Sequence, residues 1–258
     1  MGGYDTANIP QIGYGHQRGG IKKQVSRFNM TNATVLTVNS NYIKSEIEAN
    51  AGISSGKIRV VYHGVEDSVR EIQFPKKPIV LTVGKVDRSN LRRKGHELFV
   101  KTARHLPHFQ FVLIGRWHDD AIEYLKSIAT PNVEFTGWVS NEELWRYYSE
   151  ASVYFQPSLH EGFGLSVAES MLAGCIPVVS TMGALPEVVG PWDYYMRNFD
   201  PLHCAELIVN AHQAPFAQRI GARNRVLEKF TLEKRKTALH SIIDDLLAKT
   251  RSMEEYYG

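Results

Sequence analysis

Residues 152–181 read SVYFQPSLHEGFGLSVAESMLAGCIPVVST. Two runs of β-branched and aromatic residues, 152–157 and 176–181, flank a segment of helical spacing at 165–173. Short apolar runs bounded by Pro and Gly read as strands buried on both faces. Strand, helix and strand at this spacing form a right-handed crossover between parallel strands. The alternation extends upstream through IVLTVG (79–84), FQFVLIG (109–115) and NVEFTG (132–137), with helical segments at 95–106, 119–129 and 141–150 and another downstream at 184–189. Ser140 and Glu143 form a capping box, with Val139 and Leu144 at the staple positions. The expected fold is α/β: a Rossmann-like parallel sheet with helices on both faces. Ligands of such sheets bind outside the carboxyl ends of the strands. The loops after Val83, Ile114, Phe135, Phe155 and Val179 are therefore the places to search.

Residues 1–75 have another character. ATVLTVNS (33–40) reads as strand and loop, 40–52 as a helix closed by Gly52, and KIRVVYHGV (57–65) as a strand. The first twenty residues hold six glycines and little periodicity. One strand pair and one helix bury little core alone, so residues 1–75 either dock on the second half of the chain or form the end of a larger domain. FPKKP (74–78) reads as a linker, and two helical patterns, 215–229 and 231–250, close the chain. The expected divisions are 1–75, a partial amino-terminal domain, then 76–230, a ligand-binding domain, and 231–258, a carboxyl-terminal helix.

Composition narrows the function. Of 258 residues, 30 are Lys or Arg and 27 Asp or Glu, a net charge of +3 that is too mild for nucleic acid. Cys175 and Cys204 are the two cysteines, too few for a disulfide framework or a cysteine metal site. No apolar stretch has membrane-spanning length and no signal-peptide pattern opens the chain, so the expected location is cytoplasmic.

The loops carry the chemistry. Between Pro157 and Leu165, Gly162 and Gly164 permit unusual backbone angles and close approach of a ligand to the main chain. The following helix start offers unpaired N–H groups and a positive dipole end, suited to an anion. Glu169, one turn inside, suits a group that donates hydrogen bonds, and a ribose diol does so. Glu161 precedes the glycines and faces a second hydroxylated group. A ligand with a central phosphate and hydroxyls at both ends satisfies the pattern, and so do two unrelated solvated glutamates. After Gly84, the segment KVDRSNLRRKG holds Lys85, Arg88, Arg92, Arg93 and Lys94, which suit a diphosphate or simply a solvated basic loop. Val139 and Trp138 can hold a base by backbone contact and stacking, or pack as ordinary loop residues.

VGK…RKGHELFVKTARHL, VEFTGWV…ELWRYYSEASVYFQPS and HEGFGLSVAESMLAGCIPVVST…GALPEVV together resemble the retaining glycosyltransferases of group 4, which have the GT-B architecture. VLTVNSNYIKSEI and KIRVVYHGVED resemble the end of that family's amino-terminal domain. The resemblance implies transfer of a sugar from a nucleoside-diphosphate sugar, UDP- or GDP-linked, with retention of configuration and without cofactor or metal. By motif position, Glu161, Lys94 and Lys85 carry the catalytic roles. The donor site takes Gly84, Lys85, Lys94, Val139, Glu161, Gly162, Phe163, Gly164, Leu165 and Glu169, with Glu169 on the ribose, Glu161 on the transferred sugar and Val139 at the base. The family's usual arginine after the first-strand glycine is Lys85 here, which keeps the charge and loses the bidentate fork. The acceptor, a saccharide, lipid or small molecule, is not readable, and family members with lipid acceptors sit at the membrane surface. A family member's acceptor domain exceeds 75 residues, so a companion subunit or a second copy is expected to cover the partial one. Alternatives are a nucleotide-sugar-binding module or split-enzyme piece with little activity of its own, and a sugar-nucleotide epimerase.

Overall fold

The computed structural model describes residues 2–69 and 71–257, with side chains as far as Thr250. The amino-terminal segment comprises α1 (Gly3–Thr6), α2 (Gly20–Asn32), β1 (Leu36–Val38), α3 (Asn41–Ala51) and β2 (Ile58–Val60). β1 and β2 pair in parallel, Leu36 opposite Ile58 and Val38 opposite Val60. Ser40 caps α3 by accepting from the Ile43 N–H at 3.1 Å, and Gly52 ends it in the left-handed region at φ 70°. Ile43, Ile47 and Ala51 share one face of α3 and join Met30, Leu36, Val38 and Ile58 in a small core. α2 does not follow from the sequence reading, for a physical reason. It buries only Ser26 and Met30 while Ile21, Val25 and Phe28 stand exposed.

The rest is built on β3 (Lys77–Val83), β4 (Gln110–Ile114), β5 (Val133–Gly137), β6 (Ala151–Gln156), β7 (Ile176–Ser180) and β8 (Tyr195–Met196). All pair in parallel, in the order β5-β4-β3-β6-β7-β8. Between them run α4 (Arg88–Arg93), α5 (His96–Ala103), α6 (Ala121–Ile128), α7 (Asn141–Glu150), α8 (Leu165–Leu172) and α9 (Leu185–Val189), followed by α10 (Pro201–His212), α11 (Phe216–Lys229) and α12 (Leu232–Tyr257). Strand alternation splits the core between the two faces. Leu81, Tyr154 and Val179 pack with Val167, Met171 and Val226 on one, and Val80, Val153 and Phe155 with Phe99 and Ile208 on the other. The expected Rossmann-like sheet covered on both faces is observed, with β8, α4 and α10 as additions. The basic stretch after Gly84 is therefore not a continuous loop, because Asp87 caps α4 by accepting from the Asn90 N–H at 2.9 Å.

The amino-terminal segment docks on this sheet. The Glu187 carboxylate on α9 accepts from the Asn41 N–H (2.9 and 3.0 Å), the Asn41 side chain (2.5 Å), the Tyr42 N–H (3.3 Å) and the Tyr62 hydroxyl (2.6 Å). A carboxylate at the start of α3 also meets the positive end of its dipole. The end of α11 and the start of α12 then return to the same segment: Val65 N–H donates to Phe230 O at 2.7 Å, and the Arg235 guanidinium donates to the Tyr62 carbonyl at 2.9 Å. Among the described residues no helix is long and apolar enough to cross a membrane.

Candidate functional site

The sheet starts at its centre. From β3 the chain steps outward through β4 to β5, then crosses to β6 on the other side of β3 and continues to β7 and β8. The direction of winding reverses between β3 and β6, and a crevice opens at their carboxyl ends at such a point. The loops that meet there are the ones beginning at Gly84 and at Pro157.

Glycine lets these loops interlock. Gly95 has φ 76°, and a Cβ on it would lie 2.6 Å from Pro157 Cγ. The Leu159 N–H donates to the Arg93 carbonyl at 2.8 Å beside this contact. A Cβ on Gly84 would lie 2.8 Å from Lys94 Cδ, so glycine there lets the lysine stem cross the end of β3. Lys94 Nζ thereby reaches Glu161 Oε2 at 3.2 Å, with the two side chains only 18% and 15% exposed. Gln156, the last residue of β6, donates to the same oxygen at 2.8 Å, and the Gly162 N–H to Oε1 at 3.2 Å. Burial alone would raise the Glu161 pKa. Lys94 and then Arg93 outweigh it and hold the carboxyl below its ordinary value. The site thus contains an ionised carboxylate and a cation, side by side and mostly out of water.

Glu169 lies on α8 with the Tyr148 hydroxyl donating to it at 2.9 Å. Its pKa is raised by burial, against the opposing effect of that hydrogen bond. Tyr154 backs the support of Glu161: its hydroxyl donates to Ser166 Oγ at 2.7 Å and lies 3.3 Å from Gln156 Oε1, next to the amide that holds Glu161. α8 opens at Gly164 with φ 96° and no side-chain cap. Its first N–H groups are free of any competing cap, and Leu165 in that turn is exposed. Gly162 differs from the expectation. It is not in the left-handed region, and a Cβ there would sit in ordinary contact with Gly3, 3.6 Å from its backbone N, so the structure shows no need for glycine at this position. The Phe163 side chain is core, packed edge-on against Phe230 at 5.3 Å, which leaves its backbone for the crevice.

Lys85 stands apart from the Lys94–Glu161 pair. It is half exposed and paired with Asp87 at 2.6 Å. Val139 is partly buried beyond the end of β5, next to Trp138, which is 65% exposed with the Arg116 guanidinium 5.5 Å over its ring. Arg116, Trp117, His118, Gly137 and Trp138 line an open hollow of about 410 Å³ at the ends of β4 and β5.

Several residues escaped the sequence reading. Gln156, Tyr148 and Tyr154 are ordinary strand and helix residues by pattern, and only the fold turns their polar ends toward the acids. His96 is fully buried beside Gly84, with neither ring nitrogen hydrogen-bonded; burial, then Lys94 and Arg93, push its pKa down to about 3, so the ring is neutral. His160, adjacent to Glu161, bonds to Glu46 of α3. No spacing in the sequence signals that pair, because its members are 114 residues apart.

Known proteins are similar to this chain in sequence and in fold. Residues 77–214, more than half of the chain, match the family described as Glycosyl transferases group 1. A Klebsiella pneumoniae protein of the cps region, of uncharacterised function, is 29% identical over 191 residues, 69% of this chain and 51% of that protein. The O-antigen chain mannosyltransferase B of Escherichia coli is 38% identical over 76 residues, 29% of this chain and 20% of its own. The chain therefore spans about half the length, or less, of these two relatives. Anabaena HepE, solved in complex with UDP-glucose, superposes with a TM-score of 0.76 at 14% identity over 93% of this chain and 71% of its own, a likeness of fold.

Proposed function

The chain belongs to the Glycosyl transferases group 1 family, and from that premise we propose that it transfers a sugar from a nucleoside-diphosphate sugar to an acceptor with retention of configuration. The observation that carries the proposal is the Lys94–Glu161 pair at the β3–β6 crevice, 3.2 Å apart, next to the uncapped start of α8. A diphosphate at that helix start gains from N–H groups and dipole together. Lys94 neutralises the charge that develops on the departing phosphate, and Lys85 joins it when it leaves Asp87. Glu169 accepts from the ribose hydroxyls, Glu161 from the transferred sugar, and Val139 meets a base, uracil or guanine, by its backbone. Attack comes from the face the leaving group departs, whose phosphate oxygen helps take the acceptor's proton. Fixed cations at the developing charge then act as electrostatic stabilisation.

A thermal-shift panel of UDP- and GDP-sugars tests donor binding, because a ligand held only by the native state raises the melting temperature. Proton NMR of the transferred anomer tests retention. The expected results are a shift with one nucleotide series and a product with the donor's anomeric configuration. No shift with either series refutes the reading. The exposed Ile21, Val25 and Phe28 of α2 favour a second chain covering the amino-terminal segment. Turnover that rises with protein concentration would fit a second copy, and turnover that needs an added protein would fit a companion subunit. An acceptor in a lipid would bring the chain to a membrane surface.

A further inference from the structure

The two residues flanking Glu161 are both gripped from the amino-terminal segment. His160 is completely buried, with Nε2 3.0 Å from Glu46 Oε1 on α3. Glu46 also accepts from the Thr6 hydroxyl at 2.8 Å and the Tyr42 hydroxyl at 3.1 Å. The Tyr14 and Tyr42 rings wall the imidazole at centroid distances of 5.1 and 5.6 Å. On the other side, the Ser40 hydroxyl donates to the Gly162 carbonyl at 2.7 Å while accepting from the Ile43 N–H. The helix cap uses only the oxygen's acceptor capacity, so the proton is free for Gly162.

Ser40 also serves α3 as its cap, but nothing in the packing of that helix asks for Glu46. Glu46 lies beside Ile43 and Ile47 on the buried side of the helix, where a carboxylate is costly to desolvate unless it is well supplied with donors. Here it has three: a hydroxyl from α1, a hydroxyl from its own helix and the imidazole from the loop after β6. The contacts to His160 and Gly162 bracket one residue, and that residue is the carboxylate paired with Lys94.

We infer that α3 positions Glu161, with Glu46 and Ser40 as positioning residues that hold His160 and Gly162. The inference rests on the proposed donor binding. Under that proposal the groups that meet the nucleotide, Lys94, Glu169 and the start of α8, all belong to the six-stranded unit. The group that meets the sugar is held by Lys94 and Gln156 of that unit and also, through its two flanking residues, by the amino-terminal segment. Nucleotide binding and sugar placement are therefore separable by mutation, although the residues concerned lie in one crevice.

The test compares GDP with GDP-mannose and UDP with UDP-glucose by isothermal titration calorimetry. It uses the whole chain carrying Glu46→Ala or Ser40→Ala, with Glu46→Gln and Ser40→Thr as conservative controls. In the nucleotide series that the wild type binds, Glu46→Ala and Ser40→Ala should keep the nucleoside-diphosphate Kd within about twofold. Their affinity for the sugar nucleotide should fall about tenfold, the scale of one charge-assisted hydrogen bond. The kcat for hydrolysis of the sugar nucleotide should fall as well. Glu46→Gln keeps an acceptor for His160, and Ser40→Thr keeps the hydroxyl, so both should restore most of the loss. An equal loss for nucleoside diphosphate and sugar nucleotide would make the contacts merely structural and overturn the inference, as would no change in either. Should Glu46→Ala fail to fold by circular dichroism, Ser40→Ala carries the same comparison. A wild-type chain that binds none of the four ligands refutes donor binding itself, and this inference with it.

Discussion

Replacing Lys94 by alanine removes the main electrostatic support of Glu161. At 3.2 Å and an effective dielectric constant of about 20, the gross attraction is ~5 kcal/mol. Lysine regains hydration on unfolding, and Gln156, the Gly162 N–H and Arg93 still face the carboxylate, so only part of that is lost. A hydrogen bond to a charged group is worth ~1.5–3 kcal/mol net, and stranding one partner of a fully buried pair costs ~3–5 kcal/mol. With both side chains still 15–18% exposed, the expected destabilisation is ~2–3 kcal/mol at pH 7. For a chain of this size it lowers Tm by ~4–12 °C. The pH dependence identifies the cause. The Glu161 pKa in the folded chain lies below its ordinary 4.5, so its stabilisation is fully present above 4.5 and fades as pH falls through the depressed value. The difference between wild type and variant, measured by urea unfolding, should therefore be widest near neutrality and shrink at acid pH. A difference below ~1 kcal/mol, or one unchanged by acid, would refute the account. Under the proposed mechanism the same variant loses more turnover than nucleotide affinity, whereas equal losses would reduce Lys94 to uniform binding.

Gly95→Ala forces a left-handed alanine, worth ~1–2 kcal/mol, and drives its Cβ against Pro157. Urea unfolding should show a loss above ~2 kcal/mol, and a neutral result would mean that the two loops are not locked. Glu169 has a raised pKa, caused by burial, so its carboxylate begins to protonate above the ordinary carboxyl range. Nucleoside-diphosphate affinity, followed by calorimetry, should fall as pH drops from 7 toward 5, and Glu169→Gln should weaken binding about tenfold and flatten the profile. A steep profile that survives in the variant would assign the titration elsewhere. Glu187→Ala removes the acceptor for the start of α3. Amide exchange in β1, α3 and β2 should then accelerate while β3 and β6 stay protected, and uniform acceleration would contradict a local dock.

How much of this was legible depended on burial. β3, β4, β6 and β7 are covered on both faces, so their sequences are nearly pure apolar runs. α2 presents Ile21, Val25 and Phe28 to solvent and buries Ser26 beside Met30, which blurs the pattern that reads as a helix. α10 had its start written in Asp200 and Pro201, with Asp200 accepting from the His203 N–H at 2.9 Å. That is a capping signal which outranks the mild periodicity behind it. Glu161 and Glu169 were readable because they flank a glycine turn within one crossover. The resemblance named Lys94 as well, but its pairing with Glu161 and the roles of Gln156 and Tyr148 had no signal. Lys94 meets Glu161 only because winding reverses between β3 and β6, and Lys85, next to Gly84, turns away to Asp87 because a short helix starts there.

The chain passes from the amino-terminal segment to the large sheet near Val65 and comes back near Thr231, and these two passages are bonded to each other. Two bodies joined at one doubled point have a pivot. Sliding would have to break both passages together, whereas a swing breaks neither. The contacts a swing would open are those from Ser40 and Glu46 to Gly162 and His160. Under the proposed donor binding, opening them would release the grip on the two neighbours of Glu161.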